Sequence, residues 1–390
     1  MPEDRLSTTE RAIWDARPYA VAGVAVAAIE DAYGASSAEL LLADYRLDFL
    51  IPIGAEGPGF RMDGTPAGRA YAAQQAFLQP PADGDTWCLH LPLSVQGDRS
   101  GVLTVSWPYE PSPETQRDLA ALADTLARAL KIADGGTDVQ RRARRRNRLT
   151  LAAEIQWELL PGRSCVSEEY HLAGQLEPAY AIWGDNFDWS AAADGLTVSV
   201  TNGMGRGVEA ALLTQLTVGA LRNARRSGAD LIDQATLANE TVHNQHNGQC
   251  HVATILLRFD TATGLVGVID AGSPKIFRMR GNTVEPIELE AQLPLGMFED
   301  TRYTEQEFAV ESGDRLVILS DGFSTARSPR GESYETCALA GALRQTRLQS
   351  PSEAVRSLTR GLLDHYEGAE PADDAVVLCL DWTGRSAARR

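Results

Sequence analysis

Lysine is almost missing from this chain. Among 390 residues it stands only at Lys131 and Lys275, and arginine supplies the remaining positive charge. Cations as a whole are short, 36 Lys and Arg against 53 Asp and Glu, for a formal net charge of −17. That balance argues against a general nucleic-acid binder, whose phosphate contacts need a basic surface. Cysteine is scarce, odd in number and scattered (Cys88, Cys165, Cys250, Cys337, Cys379), with no C-x-x-C pair. This excludes a disulfide framework or a zinc ribbon and leaves reduced thiols, so a cytoplasmic protein is expected. No apolar run is long enough to cross a bilayer, and Met1-Pro2-Glu3-Asp4 lacks the basic-then-apolar pattern of a signal peptide, so no membrane partner is expected.

What is present describes an ordinary globular protein, 44% apolar and 23% charged, and 390 residues favour two domains over one. Residues 8–33 carry a helical pattern. Short apolar runs at 39–43 and 49–53 precede a Gly/Pro-rich break at 54–59. Asp63-Gly64-Thr65-Pro66-Ala67-Gly68 leads into a helix-like 69–77. Strands are predicted at 87–93 and 101–107, with a hairpin turn at Gln96-Gly97-Asp98-Arg99. Pro111-Ser112-Pro113-Glu114 starts a helix with Leu119, Leu122, Leu126 and Ala129 at helical spacing. The order of these elements resembles a GAF domain, a small sensing or dimerising module. The resemblance implies a ligand pocket or dimer contacts over residues 1–134, with the ligand unknown. The leucine face motivates a homodimer through this domain and the stalk after it. Cys88 is read as a buried strand cysteine.

Residues 135–160 read as a basic helical linker and switch helix. Six arginines crowd between Arg141 and Arg148. Arginine clusters bind phosphate, but no aromatics interleave them and the chain is acidic, so a solvated stalk is the preferred reading. Leu151, Ile155 and Leu159 line one face of the helix that follows, and Pro161 stops it. From 161 to 383, strand-like runs at 171–176, 195–200, 251–259, 264–270, 315–319 and 376–380 cluster apart from helix-like runs at 208–226, 231–243 and 351–366. That grouping predicts an α+β domain with antiparallel sheet, and 384–390 form a tail. His243, His246 and His251 lack a tight ligand spacing and are read as loop and edge residues, not a zinc site.

Three acidic stations adjoin or precede strand-like runs: Trp183-Gly184-Asp185-Asn186-Phe187-Asp188, Ser320-Asp321-Gly322 and Asp373-Asp374. Carboxylates converging from strand ends are what a hard divalent cation needs, because Mg²⁺ and Mn²⁺ prefer oxygen ligands. A fourth station, Thr201-Asn202-Gly203-Met204-Gly205-Arg206-Gly207, carries an amide in place of a carboxylate.

Glu154-Ile155-Gln156-Trp157-Glu158-Leu159-Leu160-Pro161, the three acidic stations, Gly203-Met204-Gly205-Arg206-Gly207-Val208-Glu209-Ala210-Ala211, Ala271-Gly272-Ser273-Pro274 and Leu293-Pro294-Leu295-Gly296 stand in an order that resembles the SpoIIE-like branch of the PPM metal-dependent protein phosphatases. The resemblance implies an α/β sandwich of two antiparallel sheets flanked by helices. It also implies a pair of Mn²⁺ or Mg²⁺ ions that activate water against phosphoserine or phosphothreonine, with no protein nucleophile. Carried over position by position, Asp185, Asn202, Gly203 (through its carbonyl), Asp321 and Asp373 fall at metal-ligand positions. Asp188, Asp374, Arg206 and Ser273 fall beside them in supporting roles. Relatives with an upstream GAF module dephosphorylate a STAS-domain antagonist in sigma-factor control, which implies such a phosphoprotein partner and makes residues 114–160 the transmission element.

This chain departs from the family pattern at several of those positions. Asn202 replaces the aspartate that bridges both ions. Arg206 replaces a histidine or lysine, Trp183 a glycine and Ser273 a histidine, while Thr325 stands where an acid is usual. The resemblance therefore supports two functional readings, an active phosphatase and a pseudophosphatase that binds its partner without efficient turnover; a purely structural dimer scaffold is the third.

Overall fold

The computed structural model describes residues 4–54, 59–81, 86–177, 180, 182–272, 274–369, 371 and 373–385, without the side chains of Thr336 and Cys337. Ser273, among the site residues expected above, lies outside the described residues. The chain divides into two compact units, Met1–Arg148 and Leu149–Arg390.

The first unit runs α1 (Arg5–Asp15), α2 (Val21–Tyr33), β1 (Ser37–Ala43), β2 (Phe49–Pro52), β3 (Phe60–Arg61), α3 (Pro66–Ala73), β4 (Phe77–Gln79), β5 (Trp87–Val95), β6 (Asp98–Trp107), α4 (Pro113–Ala133) and α5 (Val139–Ala143). The strands form one sheet in the order β3-β2-β1-β6-β5-β4. The helical pattern at 8–33 is two helices, because Pro18 opens a 3₁₀ turn between them. The predicted hairpin joins β5 to β6 through Gln96 and Gly97, both at positive φ (51° and 89°), as a two-residue primed turn requires.

Two expectations are corrected here. Leu119, Leu122 and Leu126 are fully buried in this unit's own core, against Leu89, Leu91, Leu93 and Ile29, so the proposed homodimer loses the face that motivated it. The arginine-rich stretch is not a solvated stalk. Arg144 donates from Nε to the Ala43 carbonyl at 2.9 Å and lies 5.1 Å from the Tyr45 ring centroid, and Arg146 lies 3.5 Å from that of Phe49.

The second unit runs α6 (Leu151–Leu159), β7 (Ser164–Val166), β8 (Tyr170–Glu177), β9 (Asp185–Ala191), β10 (Gly195–Gly203), α7 (Gly207–Arg226), α8 (Leu231–His246), β11 (Val252–Asp260), β12 (Leu265–Ala271), β13 (Lys275–Arg280), β14 (Thr283–Pro286), β15 (Gln306–Ala309), β16 (Arg315–Leu319), α9 (Asp321–Thr325), α10 (Ala340–Gln345), α11 (Pro351–His365) and β17 (Ala375–Trp382). Its strands build two antiparallel sheets, β15-β12-β11-β10-β9 and β14-β13-β16-β17-β8-β7.

The sheets are apolar on both faces, which is why their central strands read as unbroken apolar runs. On β16 and β17, Val317, Leu319, Val377 and Cys379 pack on Leu358 and Leu362 of α11, while Leu316, Ile318, Val376 and Leu378 are buried on the alternate face. On the other sheet, Leu256, Ile269 and Ala271 pack on Leu221 of α7 and Ala235 and Ala238 of α8. The sheets meet closely: a Cβ at Gly174 of β8 would lie 2.7 Å from the Phe187 ring of β9. Helices outside and sheets inside give the sandwich that the motif order implied.

Candidate functional site

The four stations come together at one end of the sandwich. Asp185 begins β9 and Asn202 lies near the end of β10, directly across the ladder from it. On the other sheet, Asp321 follows the end of β16, and Asp373 and Asp374 precede the start of β17, its ladder neighbour. The chain is held at this junction by close backbone approach. A Cβ at Gly184 would lie 2.0 Å from the Gly203 carbonyl oxygen, and one at Gly322 would lie 2.0 Å from the Asp374 carbonyl oxygen. Only glycine fits either place, so each glycine beside an acid serves to bring two strand ends together.

Asp374 staples the two sheets. Its Oδ2 accepts from the backbone N–H of Trp183 at 2.7 Å and of Asp185 at 3.0 Å, across 191 and 189 residues of sequence. Burial pushes its pKa up to about 7, against the opposing pull of those two hydrogen bonds. Asp321 is raised as well, by burial and then by Asp373, while the hydrogen bond from Asn202 works the other way. That bond runs from Asn202 Nδ2 to Asp321 Oδ1 at 2.5 Å and joins the sheets a second time.

Asp185 is the most telling group. It is fully buried, and neither carboxylate oxygen has a hydrogen-bond partner. Burial and then the neighbouring Asp374 push its pKa well above the ordinary carboxylate range. An unpartnered carboxylate among three others is unfavourable unless a proton or a cation neutralises it. A cleft of about 240 Å³ is lined by its neighbours Asn202, Gly203, Asp321, Asp373 and Asp374 together with His251, while Asp185 itself is buried behind that lining.

Among the described residues, no three His, Cys, Asp or Glu side chains form a ready-made ligand cage. The reason is visible in the contacts: Asp374 is engaged by backbone amides, and the residue between Asp185 and Asp321 is an amide. The donor set nonetheless fits a hard divalent cation, because it is all oxygen and includes the unsatisfied Asp185. Asp185, Asp321, Asp373, the Asn202 amide oxygen and the Gly203 carbonyl are the groups available to hold one.

Arg206 and Trp183 flank this end together. The guanidinium lies 4.8 Å from the indole centroid, and Arg206 caps α7 without a side-chain capping bond. Asp188 does not join the acids. It projects on the α7 side, buried, with Arg222 on both oxygens at 2.7 and 3.2 Å and Arg225 at 3.1 Å. Its expected place beside the ligands is corrected by strand alternation, since Asp185 and Asp188, three residues apart, face opposite sides of β9.

Sequence reasoning missed two residues. His251, read as an edge residue, lines the cleft. Gln156 of α6 is fully buried, donates to the Trp183 carbonyl at 2.9 Å and accepts from Asn186 Nδ2 at 2.7 Å. A glutamine sharing the helical face of Ala152, Ala153 and Leu159 was the available signal for it.

The double-sheet arrangement with helices outside is the fold of PP2C-type (PPM) phosphatase domains. The profile described as Stage II sporulation protein E (SpoIIE) matches residues 192–383, within the second unit. The chain is 22% identical to Protein IcfG of Synechocystis sp. over 264 residues, 60% of this chain and 42% of that protein, so the match spans less than half of IcfG. It is 21% identical to phosphoserine phosphatase RsbU of Bacillus subtilis over 237 residues, 60% of this chain and 70% of RsbU. Among solved structures, the SiaA-PP2C domain of Pseudomonas aeruginosa superposes with a TM-score of 0.50 at 20% identity, covering 59% of this chain and 94% of that one. The PP2C phosphatase domain of SpoIIE from Bacillus subtilis, with a fragment of its regulatory domain, does so with a TM-score of 0.50 at 13% identity, covering 80% and 83%. No helix among the described residues is long and apolar enough to cross a membrane.

Proposed function

We propose that this chain is a signal-regulated protein serine/threonine phosphatase that hydrolyses phosphoserine or phosphothreonine on a partner protein, a STAS-domain antagonist in sigma-factor control. The buried, unpartnered carboxylate of Asp185 beside Asp321 and Asp373 carries the reading. A bound Mn²⁺ or Mg²⁺ supplies charge neutralisation at the phosphoryl group and lowers the pKa of water. Asp185, Asp321 and Asp373 would hold it, with the Asn202 amide oxygen and the Gly203 carbonyl as the further oxygen donors. Asp374 orients the Trp183–Asp185 backbone through its two accepted N–H bonds. The exposed Arg206 guanidinium, at the N-terminal end of the 20-residue helix α7, meets the phosphate dianion. His251 lines the same cleft, beside Asn202 and Asp321. RsbU is a phosphoserine phosphatase by name, which supports the substrate class. The first unit acts as a GAF-like sensor, and α6 passes its state to the Trp183 segment through Gln156.

One observation favours a second reading, an impaired enzyme that binds its partner with little turnover: Asn202 faces Asp321 with a donor instead of a charge. Hydrolysis of a phosphoseryl peptide in Mn²⁺ separates the two. The first reading expects chelator-sensitive turnover that falls at least about a hundredfold in Asp321→Ala. No turnover in the unaltered chain, but turnover in Asn202→Asp, establishes the second. A rate indifferent to both chelation and Asp321→Ala defeats the phosphatase assignment. Activity on peptide but none on a phosphorylated STAS domain removes that partner.

A further inference from the structure

We infer that the cleft of this chain takes one divalent cation and not a close pair, because the Asn202 amide holds Asp321 where a second ion would. The inference rests on the phosphatase reading above.

Asn202 occupies the centre of the acid group. It stands across the β9–β10 ladder from Asp185 and bonds to Asp321 of the opposite sheet. The atom facing Asp321 has to be the amide nitrogen, since an ionised carboxylate only accepts and the amide oxygen would meet like partial charge. The hydrogens of Nδ2 therefore place positive partial charge against Asp321, with the carboxylate oxygen only 2.5 Å from the nitrogen.

A hydrogen-bond donor in that place opposes a cation in two ways. It takes up a carboxylate oxygen, and it repels positive charge directly. Two dications at close range repel four times as strongly as two unit charges at the same distance. Close pairs are stable where anionic oxygen lies between the ions. Here the residue between Asp185 and Asp321 is neutral, and Asp374 is turned to the backbone of Trp183 and Asp185. Asp185 remains as the fully buried carboxylate with both oxygens unpartnered, which calls for one cation. The Asn202–Asp321 bond then acts as an uncharged brace between the sheets.

The test is Mn²⁺ binding to the full chain by isothermal titration calorimetry, with low-temperature electron paramagnetic resonance of the loaded protein. The unaltered chain is expected to saturate at one Mn²⁺ with the signal of an isolated ion. Asn202→Asp is expected to saturate at two with a spin-coupled signal. Two coupled ions in the unaltered chain overturn the inference and leave the phosphatase reading standing. One isolated ion in a folded Asn202→Asp overturns it too, because Asn202 is then not what limits occupancy. No saturable binding by either protein overturns both. Should Asn202→Asp fail to fold, the stoichiometry and signal of the unaltered chain still decide.

Discussion

At Gly184 one missing atom decides whether the site exists. An alanine Cβ there would lie 2.0 Å from the Gly203 carbonyl oxygen, which belongs to backbone and cannot swing aside. Gly184→Ala is therefore expected to separate β9 from β10 at the acids and to lower the urea stability of the second unit by about 2–4 kcal/mol. A loss below about 0.5 kcal/mol would mean the two strand ends are not clamped. His90 offers a residue-scale lever in the first unit. It is 6% exposed, bonded to Thr104 Oγ1 and Gln79 Oε1, and burial lowers its pKa to about 4. The folded state thus binds fewer protons than the unfolded state between about pH 6.5 and 4. Its contribution is full above pH 6.5 and is lost as pH falls through that window, by roughly 3 kcal/mol at most. Comparing thermal unfolding of the unaltered chain and His90→Gln at pH 7 and pH 4.5 checks the sign: the unaltered chain should lose more.

At the scale of elements, α6, α7 and β9 are joined by one buried charge. Asp188 holds Arg222 and Arg225, and Arg222 in turn donates to the Leu159 carbonyl at the end of α6 at 2.6 Å. Asp188→Asn leaves two largely buried guanidiniums without a counter-charge, and an expected loss of about 3 kcal/mol in urea unfolding follows. A loss below 1 kcal/mol would show that water replaces the carboxylate. This cluster also marks the boundary of what the sequence disclosed. Strands β16 and β17 were legible because both their faces are buried, which leaves an uninterrupted apolar run. Strand β9 was not: its alternating faces carry Asp185 and Phe187 on one side and Asn186 and Asp188 on the other, so polarity hid the strand. The acids were legible as a set through motif order. Their partners were not, because Asp374 to Trp183 spans 191 residues and Asn202 to Asp321 spans 119. Helix α6 was placed correctly, but the face read from Leu151, Ile155 and Leu159 is not the buried one: Leu151 is 62% exposed, and Gln156, buried with Ala152, Ala153 and Leu159, carries the link to the site. The leucines of α4 were legible as a helical face and misread as an interface, since spacing reports which face is apolar but not what covers it.

For the whole molecule, the chain is two units with separate cores: the first packs α2 and α4 on its sheet, and the second packs α7, α8 and α11 on the outer faces of its two sheets. Each unit is large enough to unfold cooperatively. The full chain is therefore expected to show two calorimetric transitions, each answering to a different lever. Lowering the pH from 7 to 4.5 should lower the His90 transition, whereas the raised pKa values of Asp185, Asp321 and Asp374 push the other transition upward. Mn²⁺ should raise only the other, because a ligand that binds one folded unit stabilises that unit alone. At a hundredfold excess over its dissociation constant the gain is about 2.7 kcal/mol, which corresponds to an upward shift of roughly 5–11 °C for a unit of this size. In Asp185→Asn the gain should vanish, while the unit itself should be no less stable without metal, since the substitution removes a buried charge that has no partner. That pairing is the discriminating result. A carboxylate kept only for structure would make Asp185→Asn less stable in the absence of metal. One kept for a cation makes it more stable when empty and indifferent to Mn²⁺.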